Sequence, residues 1–268
     1  MNHIRSGGMR RRGFVRCGAL LLWPCAAPAQ PPATTLPLSQ AINRSGKMRA
    51  LSQRLSKAYV QGSLGVLAER ARDIQAASRQ LMSSILAELG AAPLAAGRLL
   101  QALEKDCQGL LENAAVPRKD VLEVARSADV VLESADRLTK AFEAQSQGGN
   151  ARIVNLAGRQ RMLAQRAARA YFLSAAGHDT PAVRAQLAAA RSEITQGLTG
   201  LQAAPISTPA IRNELELARS QWLFYEAALA KAASPDGLQT VATTSERVYE
   251  VMDNLTSLYD SALRDLLG

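Results

Sequence analysis

One stretch of this chain occurs twice. Asn43-Arg-Ser-Gly-Lys-Met-Arg-Ala-Leu-Ser-Gln-Arg-Leu-Ser-Lys-Ala-Tyr59 and Asn155-Leu-Ala-Gly-Arg-Gln-Arg-Met-Leu-Ala-Gln-Arg-Ala-Ala-Arg-Ala-Tyr171 align without gaps at an offset of 112 residues. They share Asn43/Asn155, Gly46/Gly158, Arg49/Arg161, Leu51/Leu163, Gln53/Gln165, Arg54/Arg166, Ala58/Ala170 and Tyr59/Tyr171. Lys47/Arg159 and Lys57/Arg169 keep their charge. Agreement at so many ungapped positions marks a tandem repeat, so the fold must accommodate the same unit twice.

The repeated unit reads as a basic helix. Neither copy contains proline, and Ala, Leu, Met, Gln, Arg and Lys dominate both, all good helix formers. On a helix, Leu51, Leu55, Ala58 and Tyr59 fall on one stripe, the ordinary core face. Asn43, Gly46, Ala50, Gln53 and Lys57 fall on another, with Arg49 at its edge. Gly46 lies three residues before Arg49, and Gln53 four after it, so all three are surface neighbours. Gly158, Arg161 and Gln165 repeat the arrangement. A mid-helix glycine costs about 1 kcal/mol relative to alanine. One return is close approach of a second backbone or a small ligand. An arginine one turn away can offer a planar fork of donors to an oxyanion. The competing reading is a helix crossing with solvated arginines around it.

The first 29 residues read as a signal peptide. Arg5, Arg10, Arg11, Arg12 and Arg16 precede a short apolar core, Cys17 to Cys25, and an Ala27-Pro28-Ala29 cleavage site. The arginine pair also fits a twin-arginine export signal. Cleavage there would leave twenty-seven basic side chains against twenty-three acidic ones, too even a balance for a nucleic-acid binder. It would also leave Cys107 as the sole cysteine, so no internal disulfide is expected in an oxidising periplasm.

Residues 30–37 read as a flexible arm. Eight helices follow, four in residues 38–146 and four in 151–268, joined at Ser146-Gln-Gly-Gly-Asn150. Ser39 is the expected cap of the first, Arg118 the start of the fourth, Ala233 the end of the seventh and Pro235-Asp236-Gly237 a turn before the eighth. Pro93 and Pro117 are expected breaks. Leu138-Thr-Lys-Ala-Phe-Glu143 matches Leu255-Thr-Ser-Leu-Tyr-Asp260, extending the repeat. The fold class is all-α: two tandem antiparallel four-helix bundles related by pseudo-twofold symmetry. Up-down alternation then makes the two motif helices parallel.

Catalytic chemistry has little to work with. His178 and Cys107 are the only His and Cys beyond residue 29, which cannot build a His/Cys metal site. The Glu and Asp residues read as solvated helix faces. Trp222, Phe224 and Tyr225 read as core. No P-loop or dinucleotide fingerprint occurs, and neither cofactor nor enzyme activity is expected.

The pattern Asn-x-x-Gly-x-x-Arg-x-Leu-x-Gln-Arg-x-x-Lys/Arg-Ala-Tyr resembles the opening helix of a sensor domain. That domain is shared by type IV pilus methyl-accepting chemotaxis transducers (PilJ-type) and nitrate/nitrite sensor kinases (NarX-type). The resemblance implies a PilJ-like domain in each half, with the anion held between two copies of the helix. The arginine three residues after the glycine, and backbone near that glycine, would hold it. Carried over, the ligand-binding set is Gly46, Arg49, Gly158 and Arg161, with Asn43, Asn155, Gln53 and Gln165 beside them. Arg44, Arg54 and Arg166 are secondary candidates; Arg44 matches a basic residue of the nitrate sensors, where the second copy has Leu156. The implied function is a soluble exported periplasmic sensor for a small anion such as nitrate or nitrite. It would signal through a membrane-bound receptor or kinase, as a single chain or a homodimer. The alternative is a helical protein of a pilus or chemoreceptor system that binds no ligand.

Overall fold

The computed structural model describes residues 36–92, 96–116, 118–146 and 149–267. The expected signal peptide and most of the arm lie outside the described residues, as do Pro93, Pro117 and Gly148. The described residues form eight helices: α1 (Leu38–Ser63), α2 (Ala68–Leu89), α3 (Gly97–Asn113), α4 (Val121–Gln145), α5 (Asn150–Ala175), α6 (Pro181–Gln202), α7 (Pro209–Leu229) and α8 (Pro235–Leu267). No strand occurs among them, and no helix is long and apolar enough to cross a membrane.

Helix starts follow local chemistry. Thr180 and Thr208 each cap a helix whose first residue is proline, their hydroxyls accepting from Val183 and Ile211 N–H at 3.2 Å. Proline suits that position because its φ is already helical and its missing N–H would be unpaired anyway. Ser234 acts in the same way before Pro235, its hydroxyl accepting from the Gly237 N–H. The expected Pro235–Gly237 turn is therefore the first turn of α8, and α7 stops at Leu229 rather than Ala233. Helix α4 begins at Val121, not Arg118, because Arg118 has φ +57° and Asp120 supplies the cap. Ser39 does not cap α1; Pro37 precedes the helix and Ser39 is buried within it. The end of the arm is tied down by the Leu36 N–H, which donates to the Ala91 carbonyl at 3.1 Å.

The motif helices are α1 and α5, and they are the inner pair. Helix α1 packs on α2, α4 and α5, while α5 packs on α1, α6 and α8; α3 lies on α4 and α7 on α8. Both stripes of α1 are consequently buried: Leu51, Leu55 and Ala58 on one side, Arg49, Gln53 and Lys57 on the other. Tyr59 and Tyr171 close the ends alike, donating to backbone carbonyls at Lys119 and Ala232 respectively, each at 3.0 Å.

Hydrogen bonds fix the helix directions. Glu246, Asp253 and Asp260 of α8 meet Arg54, Lys47 and Asn43 of α1, rising numbers against falling ones. Ser245 and Asp253 meet Gln165 and Arg161 of α5 in the same reversed sense. Helix α8 runs antiparallel to both, so α1 and α5 run parallel.

Candidate functional site

The site is built between α1 and α5 beside Gly46, which faces Arg161 of the other motif, while Gly158 faces Arg161 and Thr256 of α8. Helical side chains lean toward the N-terminus, so each motif arginine lies back over the glycine three residues before it. A Cβ placed on Gly158 would sit 3.0 Å from Arg161 Nη2. On Gly46 it would sit 3.1 Å from Arg49 Nη2 and 3.8 Å from Arg161 Nη2. The two guanidiniums thus converge beside Gly46, and glycine leaves them room.

Each arginine is buried and clasped from both halves. Arg49 donates through Nη1 to Asp136 Oδ1 of α4 at 2.8 Å and through Nη2 to Asn155 Oδ1 of α5 at 2.6 Å. Arg161 donates through Nη1 to Asp253 Oδ1 of α8 at 2.6 Å and through Nη2 to Asn43 Oδ1 of α1 at 3.1 Å. Each arginine therefore takes its carboxylate from its own half and its asparagine from the other copy. The asparagines are held in turn: Asn155 donates to Glu143 and Asn43 to Asp260. Arg49 Nε is buried without a partner.

Gln53 and Gln165 sit one turn further along. Their amides donate to the Ala128 and Ser245 carbonyls at 3.2 and 2.9 Å, while both Oε1 atoms are buried and unpartnered. Of the secondary candidates, Arg44 turns away to pair with Glu88 of α2 at 2.6 Å. Arg54 forms a second cluster: with Lys57 it grips buried Glu246, and it stacks 4.9 Å from the Tyr249 ring centroid. In the second copy Arg169, the match of Lys57, pairs with Asp129 at 2.9 Å, and Arg166, the match of Arg54, lies half-buried near it. Phe224 is 67% exposed, contrary to its reading as core, whereas Trp222 and Tyr225 are buried.

Burial governs the electrostatics. It pulls the Arg49 guanidinium down, opposed by Asp136 and reinforced by Arg159 and Arg161. Asp253 is held below its usual range despite desolvation, by Arg161 and Lys47. Asp136 is lowered likewise, by Lys140 and Arg49. Burial also opposes ionisation of Glu246, yet Lys57 and Arg54 hold it at about 2. Lys57 itself is lowered by burial and by Arg54, against the pull of Glu246. Two cations outweigh burial at Glu246, whereas burial outweighs the one shared carboxylate at Lys57.

The expectation that acidic residues are solvated faces fails at these positions. Asp136, Asp253, Asp129 and Glu246 are the counter-ions of the motif arginines and lysine. The α4/α8 match carried the signal: continued upstream at its offset of 117, it aligns Asp136 with Asp253 and Asp129 with Glu246. Among the described residues, no group of three or more His, Cys, Asp or Glu could hold a metal. Asn155 also lines an open groove of about 520 Å³ with Lys140, Glu143 and Arg152, so the Arg49 clasp borders solvent-accessible space.

Comparison with known families adds one finding to this geometry. Residues 142–247 match the PilJ family model, "Type IV pili methyl-accepting chemotaxis transducer N-term". The match runs from the last turn of α4 into α8 and contains Asn155, Gly158, Arg161 and Gln165. This PilJ-like segment is similar to a signalling domain. No curated protein and no solved structure matches the chain.

Proposed function

We propose that this chain is an exported sensor module for a small oxyanion, nitrate or nitrite being the first candidates. Its two halves are read as PilJ-like four-helix bundles related by pseudo-twofold symmetry, with α1 and α5 supplying the two sides of one site. The observation that carries this reading is the reciprocal clasp: two buried arginines converge beside a helix glycine, each held by an asparagine of the other motif. Guanidiniums suit a planar oxyanion because they donate in a fork. Asp136 and Asp253 then act as resident counter-ions that an incoming anion displaces or shares. The periplasmic assignment rests on residues 1–29, and the sensor role on the PilJ-like segment. Binding and relay to a membrane partner, rather than catalysis, is the chemistry proposed.

The second reading, a clamp that binds no ligand, is favoured by one observation: both terminal nitrogens of each guanidinium already have protein acceptors. Thermal melting in nitrate, nitrite, sulfate and chloride separates the two. Ligand binding to the folded state raises stability by about 2.7 kcal/mol at a hundred times Kd. The sensor reading expects one oxyanion to raise Tm, with the rise lost in Arg49→Ala and in Arg161→Ala. Equal responses of wild type and both variants to every anion would leave only the clamp.

A further inference from the structure

The outer face of α7 is apolar where the repeat gives no reason for it to be. Leu223 and Phe224 are 66% and 67% exposed, and Leu217, two turns before Phe224, is 44% exposed. The first half supplies an internal control. The buried residues Leu103, Cys107 and Leu110 of α3 correspond in spacing to Ala218, Trp222 and Tyr225 of α7. After Cys107 come Gln108 and Gly109; after Trp222 come Leu223 and Phe224. The fold therefore needs no large apolar side chain at these positions, and only the second half supplies one. Soluble surfaces that expose such a ridge commonly use it for recognition.

Grooves flank the ridge on both sides. One of about 160 Å³ runs between α6 and α7, where Leu223 meets Trp222 and Arg219. One of about 370 Å³ lies between α7 and α8, where Phe224 meets Lys231 and Arg247. Arg219, Lys231 and Arg247 form no ion pair among the described residues, whereas Glu226, the acidic residue lining the first groove, is paired to Arg191. We propose that this face docks an amphipathic helix of a partner protein, its apolar stripe on Leu217, Leu223 and Phe224 and its acidic flanks against these cations. A helix fits because Leu217 and Phe224 stand two turns apart on one line of α7, with Leu223 beside Phe224, on a ridge between grooves, and the charge fixes its sign.

The test uses the full chain and two labelled peptides of about 20 residues, long enough to form helix. Both carry leucines at helical spacing; one has glutamates elsewhere and the other lysines. Fluorescence anisotropy should find the glutamate peptide bound at least about tenfold more tightly, with the advantage lost near 1 M salt, where screening acts within about 3 Å. Leu223→Ser with Phe224→Ser should abolish binding without lowering Tm, because both side chains are exposed. Lys231→Glu with Arg247→Glu should reverse the peptide preference. Equal binding of both peptides, or none, overturns the proposal. So does self-association removed by Phe224→Ser, which would make the face a contact between copies, or its adsorption to phosphatidylcholine vesicles. None of these outcomes bears on the response of the arginine clasp to anions.

Discussion

At Gly158 the absent side chain decides where Arg161 can lie. Alanine is the better helix former by about 1 kcal/mol, but its Cβ would press on a guanidinium already fixed by Asp253 and Asn43. Gly158→Ala should therefore destabilise by up to about 2 kcal/mol, an overpacking cost of about 1–3 kcal/mol less the propensity gain. Gly109→Ala, in α3 with nothing within 4 Å of the new methyl, should stabilise by about 1 kcal/mol. Urea unfolding of the pair tests the sign. Glu246 offers a pH test. Its carboxyl titrates at about 2 rather than 4.5; a depressed folded pKa gives stability that is fully present above 4.5 and lost as pH falls toward 2. That amounts to about 3 kcal/mol, and Glu246→Gln should flatten this part of the stability–pH curve. Cys107 is buried, its thiol pushed up to about 12 by burial and by Asp106 and Glu104. It should react with a thiol reagent only as the protein unfolds, and Cys107→Ala should leave any anion response intact.

At the scale of helices, the repeat made much of the fold legible. Two copies of one motif, two sets of four helices and a short link were enough to expect α1 and α5 side by side and parallel, as they are. Less legible was burial around the whole of α1. Its second stripe carries Arg49, Gln53 and Lys57, which read either as part of an anion site between helices or as solvated charge; α4, α5 and α8 cover it. The acidic partners were hidden for the same reason: an aspartate on a helix face looks solvated until a second helix brings an arginine to it. Asp136→Asn and Asp253→Asn separate the two functional readings at this scale. Each removes a carboxylate from a buried arginine, so each should lower Tm in the absence of anion; losing one partner of a buried pair costs about 3–5 kcal/mol. If the carboxylates are resident counter-ions, added oxyanion should raise the Tm of these variants more than that of wild type. A clamp should show the loss without the recovery.

For the whole molecule, the contact between α1 and α5, across the two halves, is as extensive as that between α1 and α4 within the first half. Residues 149–268 expressed alone would expose the face of α5 that α1 covers. Because the two copies are equivalent in motif, the natural repair is pairing of α5 with α5 across a twofold axis. Sedimentation should find this half dimeric, and a stable monomer would contradict the equivalence. The central claim is that one chain supplies both arginines of one anion site. Calorimetric titration of the full chain with the oxyanion that raises Tm, with mass measured by light scattering in the same buffer, tests it most directly. One anion bound per monomeric chain, abolished by either Arg49→Ala or Arg161→Ala, is the expected result. One anion per two chains, or heat that survives both substitutions, would contradict it.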